Sequence, residues 1–333
     1  MNGWILYKVQ ENSLSPEAYE IRRFLEDAES SGIGMRVVAP EQLDLIVTLD
    51  DRQSVLLDGE TVPLPDFLLP RMGSGTTYFA LAVIRHLERL GVDTFNSSTS
   101  IEAVKDKLYT QQILAQSNLP IAKTMLAKYP VDIDGVERHL GFPVIVKTLS
   151  GSQGQGVFLC DTREHLEDLM ELIVATQSSV NIILQEFVKT SFGRDLRVLT
   201  VGGRAVAAMT RQATDGSFKA NVSRGGEGEL FPLTPEVDWL ATEVARLLNL
   251  DIAAIDLLFA GDHYVVCEAN SAPGFEGLER WTGISVPKEV YAFVAARLGQ
   301  LDLVSKILEP TIAEHDHGDG AALSTLGPKA PQA

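Results

Sequence analysis

The sequence predicts a mixed α/β and α+β chain made of several folded units. Three patterns carry that expectation: short apolar runs alternating with amphipathic stretches up to about residue 95, a glycine loop between two strands near residue 150, and longer strands broken by tight turns from residue 190 onward. With 333 residues there is material for two or three separate cores.

In the first unit, residues 1–97, strands are expected at 4–9, 35–39, 67–69 and 92–95 and helices at 16–31 and 78–90, which is a βαβ order. Ser15 and Pro16 form a helix start, with serine as N-cap and proline at the first helical position. The second unit, 98–188, opens on a helix-rich stretch at 98–117. It continues as strand 143–147, a glycine loop, strand 157–160, helix 162–175 and strand 181–188. In the third unit, 189–305, two strands flank Gly202 and Gly203, a turn able to supply positive φ at both central positions. Helix 235–248, strands 252–259 and 264–270, and helix 286–298 complete it. Residues 306–333 are poor in large apolar side chains and are expected to be a disordered tail, with His315 and His317 exposed to solvent.

Composition narrows the class. A hydrophobic share of 45% with 22% charged residues is that of a soluble globular enzyme. Cys160 and Cys267 both sit in apolar strand-like runs and read as buried, reduced thiols, which suits the cytoplasm and excludes a disulfide-stapled scaffold. The early apolar run is too short for a signal peptide, and no stretch has transmembrane length. A net charge of −17 argues against general nucleic-acid binding. One segment runs the other way. Between residues 194 and 224, Arg194, Arg197, Arg204, Arg211, Lys219 and Arg224 face only Asp195 and Asp215, a balance of 6 − 2 = +4 that suits a small anion.

Four groups of residues carry chemistry. The strand 144–147 ends in Lys147 and runs into GSQGQGV at 151–157, so an ammonium is delivered to one place while Gly151, Gly154 and Gly156, with Ser152 and Gln153, let backbone amides approach phosphate oxygens. No Gly-Lys-Ser/Thr follows and the next element is a strand, so this is neither a Walker loop nor a Rossmann turn. The strand 183–188 carries Gln185 and Glu186 where a linker between lobes falls, and its backbone groups through Phe187 and Val188 can read an adenine edge; an exposed edge strand accounts for the pair as well. Asp256 on one strand and Glu268 and Asn270 on the next supply oxygen ligands of the kind Mg²⁺ takes. Glu268 and Asn270, two residues apart, project from one face. A two-residue turn would set Asp256 against Cys267, so the spacing predicts a three-residue loop at 261–263 that sets it against Glu268. Finally, Arg211, and Arg224 in NVSRGGEG with Asn221, are placed to offset charge that develops on a transferred group.

In this order, a lysine with a glycine loop, Gln-Glu before a basic segment, and Asp…Glu-x-Asn followed by Ser-Ala-Pro-Gly resemble the ATP-grasp ligases, and more narrowly the RimK-type α-L-glutamate ligases. The resemblance spans roughly residues 65 to 300 and is most specific in IDLLFAGDHYVVCEANSAPGFEGLERWTGI. It implies an ATP-grasp fold with an N-terminal α/β (pre-ATP-grasp) domain, a small central lobe and a C-terminal α+β lobe. It further implies that Lys107 and Lys147 contact nucleotide phosphates, that Glu186, Phe187, Val188 and Asp195 bind the adenine and ribose region, and that Lys219, Ala220 and Asn221 form a further nucleotide-contacting segment. Asp256, Glu268 and Asn270 match the Mg²⁺ ligands, with Mn²⁺ an acceptable substitute, and Arg211 and Arg224 match basic groups near the reacting carboxylate. Lys219-Ala220 replaces the usual Arg-Ser and Ser271-Ala272 the usual Ala-Ser; the first loses the bidentate fork of arginine.

The activity so implied is ATP- and Mg²⁺-dependent joining of L-glutamate to a protein tail, a peptide or poly-glutamate chain, or a small carboxylate, through an acyl phosphate, with the loop 151–156 closing over the phosphates. A homo-oligomer, dimer or tetramer, is expected. Residues 1–60 match poorly and leave the acceptor open. Two other readings stand beside it: a ligase for another amino acid or a small metabolite, and a non-catalytic nucleotide-binding regulator.

Overall fold

A computed structural model of the chain describes residues 1–8, 17–48, 54–149, 156–176, 181–220 and 226–308. The N-terminal elements are β1 (Asn2–Leu6), α1 (Glu17–Ser31), β2 (Gly34–Val38), β3 (Leu43–Leu45), β4 (Val55–Leu57), β5 (Glu60–Thr61), β6 (Phe67–Pro70), α2 (Tyr78–Arg89) and β7 (Asp93–Thr94). Four of the strands form a parallel sheet in the order β2-β1-β6-β7. Parallel neighbours need crossovers, and the helices that make them cover the sheet, so every residue of β6 is buried. Gly3 is required where β1 passes β6, since a Cβ there would lie 2.2 Å from Phe67 Cζ. The helix start expected at Ser15 and Pro16 lies outside the described residues. The small antiparallel sheet β3-β4-β5 was not expected from the sequence; it adds Leu43, Val55 and Leu57 to a core shared with Leu68 and Ile84.

The middle of the chain holds α3 (Ser98–Lys105), α4 (Lys107–Gln116), β8 (Thr124–Leu126), α5 (Ile133–His139), β9 (Val144–Thr148), β10 (Val157–Cys160), α6 (Arg163–Ala175) and β11 (Ile182–Glu186). Its strands form an antiparallel sheet, β10-β9-β11-β8. Alternation divides β9: Val144 and Val146 enter the core under α5 and α6, so Ile145 and Lys147 project from the opposite face.

The remaining elements are β12 (Arg194–Val201), β13 (Arg204–Gln212), β14 (Glu227–Phe231), α7 (Pro235–Leu247), β15 (Ile252–Ala260), β16 (His263–Asn270), α8 (Glu276–Thr282), α9 (Val286–Arg297) and α10 (Leu301–Leu308). The sheet runs β14-β13-β12-β15-β16, antiparallel throughout. The β12–β13 turn has the expected geometry, Gly202 and Gly203 at φ +58° and +77°. One face packs Leu196, Val198 and Ile255 on α7; the other packs Leu199 and Met209 toward α8 and α9. Helix α10 carries the folded body past residue 305 to Leu308, with Ile307 only 2% exposed. Residues 309–333 and their two histidines lie outside the described residues. Among the described residues no helix is long and apolar enough to cross a membrane.

The core on the α9 face is common property of the first and last parts of the chain: Ile5, Phe24 and Phe67 share it with Phe275, Tyr291 and Ile307. Tyr291 Oη donates to the carbonyl of Phe24 at 2.8 Å. A polar clamp lies nearby. Asn96, fully buried, donates through Nδ2 to the carbonyls of Ile252 (2.7 Å) and Ser271 (2.8 Å), and its Oδ1 accepts from the amides of Asp251 (2.5 Å) and Ile252 (2.9 Å). Asn96→Ala would leave those buried groups unpaired and is expected to lower the unfolding free energy by about 3 kcal/mol, measured by urea denaturation.

Candidate functional site

The site is built on the sheet face that carries Leu199 and Met209. Because Leu196 and Val198 point to α7, Asp195 and Arg197 must point the other way, and register sets Arg211 beside Asp195 and Asp256 beside Arg197. The charges interlock. Arg197 grips Asp256 with both ends of its fork, Nε to Oδ1 and Nη2 to Oδ2, each at 2.8 Å. Arg211 grips Asp195 the same way at 2.7 and 2.6 Å, and its Nη2 also reaches Asp256 Oδ2 at 2.9 Å. Asp256 is 1% exposed and Arg211 4%.

Burial alone would push the Asp256 carboxyl up, but Arg197 and Arg211 outweigh it and hold its pKa at about 2. Burial raises that of Asp195, against Arg211 and with help from the Asp256 charge. Asp256 is therefore an ionised, pre-oriented carboxylate.

Glu268 does pair with Asp256, though not by the expected loop. The turn at 261–262 has two residues, with Ala260 opposite His263. The odd residue enters farther along: Leu257 pairs with Val266 and Asp256 with Glu268, so Cys267 is a β-bulge. Gly261, at φ +78°, accommodates the tight turn. The bulge is anchored from outside the sheet. Gln111 Nε2 on α4 donates to the Cys267 carbonyl at 3.2 Å, and the Val266 amide donates to the Pro120 carbonyl at 2.8 Å.

Lys147 arrives from the other sheet, its Nζ 3.7 Å from Cys267 Sγ. Burial pushes the Cys267 thiol up to about 11 against that ammonium, which keeps it protonated and unreactive. Lys107, one helical turn before Gln111, lies on the same face of α4. Glu186 ends β11 and is tied to the chain at Lys123, its Oε1 accepting that amide at 3.0 Å. Phe187 meets Phe192 edge to face at 6.1 Å, and the Val188 carbonyl accepts from Ser191 at 3.0 Å. The amide of Lys219 donates to Ser217 Oγ at 3.2 Å, and Ala220 is buried. Gly156 has φ +70°, and its carbonyl accepts the Thr148 amide. Gly151, Ser152, Gln153, Gly154, Asn221 and Arg224 lie outside the described residues.

Two of the expected site residues are already engaged within the protein. Both oxygens of Asp195 accept from Arg211, as both oxygens of Asp256 accept from Arg197, so this carboxylate is part of the ion-pair lattice. Arg211 has Nε and Nη2 committed to carboxylates, which leaves Nη1 as its one nitrogen not bound to Asp195 or Asp256. Sequence reasoning counted Arg197 only as charge and missed it as the principal partner of Asp256. The signal was present in Asp195-x-Arg197, which alternates with buried Leu196 and Val198.

The donor set fits a hard divalent cation. Asp256, Glu268 and Asn270 offer carboxylate and amide oxygens, the ligands such a cation takes; the one orphaned atom of Asn270 is a donor, its buried Nδ2, which has no hydrogen-bond partner among the described residues, so Oδ1 is the atom that would ligate. No three His, Cys, Asp or Glu side chains cluster for a metal among those residues; here the set is two carboxylates and an amide.

A carboxylate whose folded pKa is depressed adds stability above its unfolded value of about 3.9 and loses it as the pH falls toward the folded value. Arg197→Met is therefore expected to destabilise the protein by about 3 kcal/mol at pH 7, with a smaller difference near pH 3, as urea unfolding at the two pH values would read.

Comparison with known proteins assigns the family. Two family models match, the RimK PreATP-grasp domain over residues 12–101 and the RimK-like ATP-grasp domain over residues 104–294. A Shewanella amazonensis protein named "Probable alpha-L-glutamate ligase 1" is 37% identical over 284 residues, covering 85% of this chain and 93% of the relative. A "Probable alpha-L-glutamate ligase" of Teredinibacter turnerae is 36% identical over 283 residues, with coverage of 85% and 93%. The fold is shared with a RimK domain ATP-grasp protein of Sphaerobacter thermophilus (TM-score 0.68, 18% identity, 88% of this chain and 99% of that one) and with D-alanine–D-alanine ligase of Bacillus anthracis (0.62, 16%, 92% and 96%). The chain is thus an enzyme of the ligase class and belongs to the RimK-like ATP-grasp ligases.

Proposed function

We propose that this ligase uses ATP and Mg²⁺ to activate a carboxylate as an acyl phosphate and then joins it to the amino group of L-glutamate. The acceptor carboxylate attacks the γ-phosphorus of ATP and ADP departs; the amine attacks the acyl carbon, and phosphate and a proton leave. The pairing of Asp256 with Glu268 across the bulge, with Asn270 on the same strand and Lys147 facing Cys267, carries the reading. Glutamate as the amine is supported by the names of relatives 34–37% identical to this chain.

Asp256, Glu268 and Asn270 would hold the cation. When bound, Mg²⁺ would draw phosphate oxygens together and offset the charge that grows on them during transfer. The chain's own contribution is positional. Arg197 and Arg211 keep Asp256 ionised and fixed in direction. Lys147 brings one ammonium to the same place from the central sheet, where it balances phosphate charge. Arg211 stiffens the lattice and has Nη1 left to meet an anionic group.

The direct test is incubation with ATP, Mg²⁺ and L-glutamate, with and without lysate acceptors, read by mass spectrometry. Addition of one glutamate residue or more to an acceptor is expected; ADP release with another amino acid in place of glutamate would overturn the donor assignment. Asp256→Asn is expected to lower turnover by about two orders of magnitude or more while the protein remains folded by circular dichroism. Unchanged turnover would remove Asp256 from the metal site.

A further inference from the structure

The strand that carries Glu268 and Asn270 leaves the sheet through residues 271–275, and the N-terminal part of the chain grips this loop at three points. Asn96 Nδ2 donates to the Ser271 carbonyl at 2.8 Å, Arg71 Nη2 to the Pro273 carbonyl at 2.5 Å, and the Phe275 amide donates to Glu20 Oε1 at 2.9 Å. Gly274 lies against the same carboxylate, since a Cβ there would sit 3.3 Å from Glu20 Oε1. The Phe275 ring closes the loop in edge-to-face contact with Phe24 at 5.5 Å.

Glu20 is an expensive way to hold a loop. It is 3% exposed, and its Oε2 has no hydrogen-bond partner among the described residues. Burial raises its pKa, and the Arg71 guanidinium draws it back only in part. Adhesion between the two parts of the chain does not need this residue. The shared core and the Tyr291–Phe24 hydrogen bond supply adhesion without a buried carboxylate. What Glu20 and Arg71 add is direction, fixed within a few residues of Asn270.

We propose that Glu20 and Arg71 are positioning residues for Asn270: by fixing the 271–275 loop they set how the metal-holding strand ends, and so couple the N-terminal domain to metal affinity. The inference rests on Asn270 being a metal ligand.

The experiment is titration of the full chain with Mn²⁺ in the presence of ADP, followed by the paramagnetic resonance of free Mn²⁺, with thermal unfolding measured alongside. Glu20→Gln, which keeps the shape, and Arg71→Met are expected to weaken Mn²⁺ binding about tenfold. Tyr291→Phe, which loses a contact between the same two parts but none to the loop, is expected to lower the unfolding midpoint and leave Mn²⁺ affinity unchanged. Mn²⁺ binding by Glu20→Gln and Arg71→Met equal to that of the unaltered protein, while Asn270→Ala weakens it, would overturn the coupling alone. An Asn270→Ala protein that binds Mn²⁺ normally would overturn the metal assignment itself. Equal weakening in Tyr291→Phe would show general loosening and also overturn the proposal.

Discussion

Two guanidinium groups closing on one buried carboxylate govern the arrangement of the site. A lone ionised carboxyl 1% exposed would neutralise itself by taking a proton; Asp256 does not, because Arg197 and Arg211 stand on both sides of it. That pairing imposes geometry on three strands together. β12 must present Arg197 opposite Asp256, β13 must present Arg211 close enough to span to it, and Asp195 must stand beside Arg211 to balance the second cation. A one-residue slip of any of these strands would turn its charge into an apolar core. The lattice thus fixes register as well as charge.

The same logic shows what the sequence could and could not disclose. The fold class was legible because the alternation of strands and helices is long and regular, and the shared face of Glu268 and Asn270 was legible because they stand two residues apart. Parity required one extra residue between Asp256 and Glu268. Its location was not written locally: a turn of three and a turn of two with a bulge have the same residue count, and contacts to Gln111 and Pro120, far away in the chain, stabilise the second. Arg197 was hidden for a related reason. Its face followed from alternation with Leu196 and Val198, but its partner followed only from the pairing of β12 with β15. Asn96 gave no sign at all, since its partners are backbone groups, which no side-chain pattern reveals. The strands β3, β4 and β5 are two or three residues long, too short for a period to register.

The distribution of apolar clusters separates the chain differently from its order in sequence. The central sheet closes over its own core, with Val144, Leu166 and Ile182 all drawn from one stretch. The parallel sheet has no such independence on its α1 side, where Phe24 and Phe67 find their neighbours in Phe275, Tyr291 and Ile307.

That sharing bears on how the protein is made. A ribosome delivers the parallel sheet first, yet the residues that cover one face of it emerge last, after roughly two hundred intervening residues have been polymerised. Until α9 clears the exit tunnel, Phe24 and Phe67 lack the Tyr291 ring that both of them meet edge to face, whereas the central lobe can complete itself on the way.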